Sequence, residues 1–386
     1  MCWRRKKRKM ANYAYVPAIL DNSLTILDVT NPAAPAFKGN IMGAGVPNYL
    51  GAIADVAKIG NYCYCGCMGT FFLGGDACLT IIDVSNPALP TFVSTLPIGT
   101  SNAYRFVFVS GNYAYVTDFF SGLYIVDISN PAAPAIVGSI LLAALGLGAG
   151  AYMGRAYKLG NYCYLHSAGG DDTDNALSII DVSNPAAPTL TGSISGVANW
   201  LGGVWAFPSG NYCYCASTIN SSLTIIDISN PALPTFKGNI SGAGMPNYLS
   251  YIQQLWKEGN YCYCGCVADG FTVIDVSNPA LPTFVSNLGG FNVVNGIVVY
   301  KTGSQCYIGD PGNSKVWILD ISNPAAPAVL GSLAGAGAPN YLNMAAVLAA
   351  EGSWVPPPTP YNSPPCIIDF KGLLDCIGWK WRAGGI

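Results

Sequence analysis

Seven copies of one short pattern, cleanest in the run Asp83-Val84-Ser85-Asn86-Pro87-Ala88-Leu89-Pro90, restrict this chain to a repeat architecture. The leading Asp falls at Asp28, Asp83, Asp127, Asp181, Asp227, Asp275 and Asp320, at spacings of 55, 44, 54, 46, 48 and 45 residues. An aromatic couplet precedes each copy, from Asn12-Tyr13-Ala14-Tyr15 through Asn61-Tyr62-Cys63-Tyr64 to the weaker Gln305-Cys306-Tyr307. A unit of about 49 residues with no 3.6-residue apolar period has the size of a propeller blade and not of a helical solenoid repeat.

Each unit reads as four short strands. In the second unit they are expected over 52–59, 62–67, 79–84 and 91–96, where β-branched and aromatic residues dominate and Gly, Asn and Pro punctuate. The repeated pattern suits the end of a strand. Asn86 can close an Asx-turn, and Pro87 presets φ for the next turn position. Pro90 enters an outermost strand, where a missing N–H is tolerated and an open edge is blunted. The repeated Asp is expected to accept backbone N–H groups in that turn.

The expected fold is therefore all-β, a seven-bladed β-propeller of four-stranded antiparallel blades over residues 11–350. The first blade starts at its second strand. After Pro339-Asn340-Tyr341-Leu342, the stretch 344–350 repeats the first-strand pattern that follows Pro47-Asn48-Tyr49-Leu50. It is expected to complete the first blade and close the ring, which removes the free edge. A basic tail, 1–10, and a Pro-rich tail, 351–386, flank the propeller. Cys366-Ile367-Ile368-Asp369 echoes a repeat, so a degenerate eighth blade stays open as an alternative.

These residues carry a resemblance. The segment GNYAYV, residues 111–116, followed by SGLYIVDISNPAAPAIVGS, residues 121–139, resembles the LVIVD-repeat family of β-propeller proteins. The resemblance spans nearly all of residues 11 to 350. It implies a surface or secreted protein of bacterial or archaeal type, with no shared enzymatic activity and no catalytic residues to carry over. An extracellular or cell-surface location follows from it. The many cysteines and the absence of a visible signal peptide keep a cytoplasmic location as the alternative.

Charge sets further limits. Charged residues make up 10% of the chain, against roughly 25% in ordinary soluble proteins. Weak self-repulsion favours a glycosylated exterior or self-association. Six of the eighteen basic residues lie in Arg4, Arg5, Lys6, Lys7, Arg8 and Lys9, leaving twelve against twenty acidic ones in the body. An acidic body excludes nucleic acid as the expected partner. No apolar stretch follows the basic run, which reads as a solvated tail or as sequence upstream of a start at Met10. No run of 18 apolar residues exists, so no transmembrane segment is expected.

The residues that carry chemistry are few. Cys63, Cys65 and Cys67 share one strand face, as do Cys262, Cys264 and Cys266, but Ala14, Val16 and Ala114 occupy matching positions in other units. Cysteine there reads as a small hydrophobe in a packed layer, without zinc spacing. The single His166 reads as a surface or loop-packing residue. Beside it Asp171, Asp172 and Asp174 form the one acidic cluster of the body, a candidate calcium site weighed against a solvated turn.

A better candidate site comes from register. Counting back five residues from each Gly-Asn turn gives Asp55, Phe106, Arg155, Trp205, Gln254, Val298 and Val347, while the neighbouring position is aliphatic in every unit. If the variable face looks into the central channel, Asp55, Arg155, Trp205 and Gln254 line it, as a water-filled wall or a small-ligand pocket. Tyr49, Tyr248 and Tyr341, with Trp200 in the equivalent loop, suit stacking on a glycan or packing on a protein, or anchor their loops to the ring.

The expected function is a non-enzymatic binding or structural module, whose partner is a protein, a glycan or copies of itself in a filament or layer. The alternative is a carbohydrate-active or small-ligand enzyme at the channel mouth. No cofactor is expected beyond the candidate calcium.

Overall fold

The computed structural model describes residues 12–68, 77–99, 105–148, 150–169, 174–196, 201–203, 205–291, 298–342 and 349–350. Both expected tails, the eighth-blade echo, Trp200, Asp171, Asp172 and Val347 lie outside the described residues.

Seven antiparallel sheets follow one another along the chain, each made of four strands except for a fourth whose inner strand is broken. The second blade has Ile53–Ile59 innermost, then Tyr62–Cys67, Cys78–Asp83 and Thr91–Pro97 outermost, within a residue or two of the sequence expectation. In the first blade Tyr13–Ala18, Ser23–Asp28 and Ala36–Met42 are joined by Ala349–Ala350, which pair with Tyr15 and Ala14. Among the described residues no helix is long and apolar enough to cross a membrane.

The middle strands are buried on both faces. Tyr62–Cys67 and Cys78–Asp83 each place five of six residues in the core. Blades stack face against face, so a middle strand meets a neighbour on either side, and near-continuous apolar runs replace alternation. This is where the cysteines go: all eleven described ones are free and buried. Burial pushes the Cys63, Cys163 and Cys262 thiols far up, as expected of small hydrophobes.

The repeated pattern turns the chain from the third strand to the fourth. In every blade Oδ1 of its Asp accepts the N–H two residues on, for example from Thr30, Ser85, Ser129 and Ser229 at 2.9, 2.7, 2.8 and 3.0 Å. The Asn repeats this at its own position, Ala88 N donating to Asn86 Oδ1 at 3.2 Å. A bulge then follows in every blade, as between Ile81 and Ile82.

The same turn also holds the blades together, which no single repeat reveals. The Pro carbonyl that follows the Asn lies against the outermost strand of the preceding blade. The residue it meets there is Gly39, Gly138, Gly192, Gly238 or Gly331, where an added Cβ would sit 2.1–2.5 Å from that oxygen. In the other two blades it is a serine: Ser94 Oγ donates to Pro131 O, and Ser286 Oγ to Pro324 O, both at 2.6 Å. Gly331 of the seventh blade meets Pro32 of the first, so the contact runs around the whole ring.

Candidate functional site at the inner ring

Arg155 sits where the innermost strand of the fourth blade breaks, between Tyr152–Met153 and Tyr157–Leu159. The break is held open by two bonds at Gly154: its N–H donates to His166 O at 3.0 Å, and its carbonyl accepts Thr117 Oγ1 at 2.8 Å. From there the guanidinium reaches the third blade. Nε and Nη2 donate to Val107 O at 3.1 and 2.6 Å, and Nε lies 3.3 Å from Asp55 Oδ2 on the second blade. Asp55 Oδ2 accepts the Val107 N–H at 2.8 Å, and Oδ1 accepts that of Val56 at 2.8 Å. Val107 thus has its N–H met from one neighbouring blade and its carbonyl from the other.

This arrangement corrects the picture of a wetted channel wall. Asp55 has no exposed surface, Trp205 and Gln254 are 4% exposed, and the Arg155 side chain keeps 11%. An innermost strand has one edge without a strand partner, and its backbone groups need bonds once water is displaced. Side chains of Asp55 and Arg155 supply them by lying along the ring. Aromatic rings pack around the cation: Tyr157 and Trp205 lie 5.4 and 5.9 Å from Arg155 Cζ, and Phe106 meets Trp205 edge-on at 6.1 Å. Burial raises the Asp55 carboxyl to about 6, although the Arg155 charge and the Val107 and Val56 N–H groups pull it down. The side chain of Val298 is not among the described ones.

Other sequence candidates move inward too. His166 is a buried strand residue, not a surface or loop one; Nδ1 lies 3.2 Å from Trp205 O. Burial lowers it to about 4 against the carbonyls of Trp205 and Leu201, so it is neutral near pH 7. Asp174 is buried and accepts the Gly148 N–H at 2.7 Å, which makes it an anchor of its loop rather than a solvent-facing ligand. Among the described residues no three metal-ligating side chains cluster.

Tyr49, Tyr248 and Tyr341 are half-buried. Each ring packs on an outer-strand Phe: Phe92 at 5.8 Å, Phe284 at 5.7 Å and Phe37 at 6.4 Å. Each carbonyl accepts a core threonine hydroxyl, from Thr80, Thr272 and Thr25 at 2.8, 2.6 and 2.9 Å. They anchor their connectors to the ring.

One charged pair escaped the register count. Arg105 opens the innermost strand of the third blade, and its Nη2 lies 3.0 Å from Asp118 Oδ2, both side chains fully buried. Nε and Nη2 also donate to Ile98 O at 3.2 and 2.9 Å. The legible signal was Asp118 itself, a charge at the position held by Ala18, Cys67, Ser167, Ser217 and Cys266 in other blades and shared with Asp310 of the seventh. Away from this ring, an open hollow of 680 Å³ lies between the sixth and seventh blades, lined by Glu258, Asn260, Tyr261, Ser304, Ser322 and Pro324.

Fold and site together define a seven-bladed β-propeller whose inner polar groups are bonded from blade to blade. The LVIVD-repeat model matches at residues 10–43, 51–96, 105–141, 159–195, 204–241, 251–288 and 297–334. The chain belongs to the LVIVD-repeat family. No curated protein matches it in sequence. Solved structures share the fold at low identity. A Bacteroides fragilis protein provisionally assigned as a 6-phosphogluconolactonase is 8% identical, with TM-score 0.69 over 89% of this chain and 99% of its own. The periplasmic gluconolactonase of Pseudomonas aeruginosa is 10% identical, with TM-score 0.67 over 90% and 100%. A hypothetical selenium-binding protein from Sulfolobus tokodaii is 11% identical, with TM-score 0.61 over 89% and 95%.

Proposed function

We propose that this chain is a non-enzymatic binding or structural module of the cell surface or extracellular space, which associates through the loop-bearing face of its ring, first with copies of itself. The observation that carries this reading is a pair of matched apolar tips. Val46, on the connector from the first to the second blade, is 80% exposed, and Leu20 of the adjoining loop 58%. Met245, on the connector from the fifth to the sixth blade, is 81% exposed, with Ile219 and Tyr251 at 57% and 58%. Each connector is tied to its neighbouring loop in the same way: Gly43 N donates to Asn22 O and Gly242 N to Ser221 O, both at 3.0 Å.

Large apolar side chains held in water at two equivalent places favour association, and a surface with 10% charged residues opposes it weakly. Sedimentation and negative-stain microscopy across a micromolar series test this. Assemblies are expected for the native chain, and monomers for the Val46→Asp, Met245→Asp double variant. Native material that stays monomeric throughout sinks the reading.

A second reading, a carbohydrate-active or small-ligand enzyme, is favoured by the partly exposed Arg155 between aromatic rings at the inner edge and by neighbours named as gluconolactonases. A screen of glycans, sugar lactones and divalent metals, calcium included, decides it. Saturable binding abolished by Arg155→Ala would support it, and a blank screen would retire it.

A further inference from the structure

Residues 37–68 and 236–267, each running from one blade's outer strand through the second strand of the next, are close in sequence, and just beyond them blade two carries Cys78 where blade six has no thiol. Cys67 and Cys266 end equivalent second strands. Across the sheet Cys67 faces Cys78, whereas Cys266 faces Gly270. The bond from Val84 N to Asn61 O begins the ladder in blade two. Counting in twos from that pair makes Cys67 and Cys78 a hydrogen-bonded cross-strand pair. Such a pair has side chains on one face and Cα atoms about 5.5 Å apart, inside the range of roughly 4.4–6.8 Å that a disulfide spans.

The side chains converge as the register requires. Cys67 Sγ lies 3.9 Å and Cys78 Sγ 3.3 Å from the same Thr80 hydroxyl, which brings both sulfurs to one point of the sheet face. Both are free and buried. No i, i+2 pair on a single strand has this geometry, because such side chains point in parallel.

We propose that Cys67 and Cys78 form a dithiol site that a small hydroperoxide, such as hydrogen peroxide, oxidises to a disulfide within blade two. Cys78 is the attacking sulfur. The hydrogen bond from Cys67, those from Thr80 and Thr95, and the Arg105 cation draw its thiol down against burial, while the Cys67 thiol is pushed up. The Cys78 thiolate attacks one peroxide oxygen, the O–O bond breaks, and hydroxide leaves to take up a proton as water. The Cys67 sulfur then attacks the sulfenic acid at Cys78, forming the S–S bond as a second water departs. The two sulfurs lose two electrons, the peroxide gains them, and the thiol protons end in the two waters.

The test is a dose series of hydrogen peroxide on the reduced, folded, full-length chain, followed by alkylation under denaturing conditions and peptide mass analysis. Cleavage before Asp55, Asp76 and Asp83 places Cys67 and Cys78 on separate peptides. The expected product is peptide 76–82 linked through Cys78 to Cys67 of peptide 55–75, with loss of two hydrogens. It should form on the order of tenfold faster than any oxidation of Cys266, the single-thiol counterpart. Cys67→Ser should leave Cys78 as a sulfenic acid that dimedone traps, and Cys78→Ser should leave Cys67 reduced, with circular dichroism reporting the fold of both. Equal alkylation of Cys67, Cys78 and Cys266 at every dose, or a bond at another pair, overturns the proposal.

Discussion

Asp55 and the seven turn aspartates accept the same kind of bond, a backbone N–H, in two regions that solve the problem differently. At the outer turns the acceptor and donor are two residues apart, as in Asp227 and Ser229, and the carboxylate faces water. At the inner ring the donor is Val107, 52 residues from Asp55 and on another blade. The net shifts therefore run in opposite senses, although burial raises all of these carboxyls. Hydrogen bonds hold the Asp28, Asp181 and Asp227 carboxyls below their ordinary value, whereas desolvation carries Asp55 above it. Local bonds repeat seven times because each needs only its own turn, while a bond between blades needs a unique pair of side chains.

The inner region should break hardest. Removing the guanidinium with Arg105→Leu leaves the fully buried Asp118 without its counter-charge, and should cost about 3–5 kcal/mol in urea unfolding. Adding Asp118→Leu should recover much of that loss, since two apolar side chains tolerate the site that one unpaired carboxylate does not. A single variant within 1 kcal/mol of the native chain (about the median for an exposed pair) would mean that water reaches Asp118.

Asp55 offers a test of sign. Its carboxyl holds a proton more tightly when folded, near pH 6, than when unfolded, near 3.8. Its contribution is complete below the lower value and is lost as pH rises through the upper one, amounting to about 3 kcal/mol across that window. Asp28, Asp127, Asp181, Asp227 and Asp320 run the other way, their contribution being lost as pH falls below the ordinary carboxylate range. Asp55→Asn should therefore flatten the descending arm between pH 4 and 6 in a series of melting curves and leave the acid arm in place. An unchanged descending arm would locate that titration elsewhere.

The contrast also explains what could be read in advance. Blade number, strand limits and the turn role of Asp83 were legible because each follows from residues close together and recurs in register. Asp55 and Arg155 were legible only as odd residues in an aliphatic column. Their bonds to Val107 were not, because they depend on which blades adjoin and on the strand break at 154–156. Cys67 and Cys78 were hidden for a similar reason. Ten residues separate them in sequence, against three between Cys266 and Gly270, so comparing repeats by spacing cannot align them.

The contact between the outer strand and the next blade's turn links the two regions, and it breaks at glycine. Gly138→Ala would place a methyl group against the Pro185 carbonyl and the Pro188 ring, and should cost about 1–3 kcal/mol. Gly289→Ala is the matched control, since nothing lies near its added methyl and its φ is ordinary; it should change stability little. Equal behaviour of the two would mean that neighbouring blades yield easily at their outer edge.

The smallest effect is expected from a single turn. Asp227→Ala removes one exposed acceptor and leaves the Asn230 bond to Ala232 in place, so the loss should be about 0.5–1 kcal/mol near neutral pH. It should vanish once the native carboxylate is protonated below its ordinary range. This variant decides whether the turn is truly local. Pro231, in the same turn, has its carbonyl against Gly192 of the fourth blade. If the Asp227 bond also sets the position of that carbonyl, the loss will exceed 2 kcal/mol and will add less than fully to the loss from Gly192→Ala, whose methyl displaces the same carbonyl. A small loss, indifferent to residue 192, would leave the seven turns as independent pieces and place the cooperativity of the ring in its inner, unrepeated bonds.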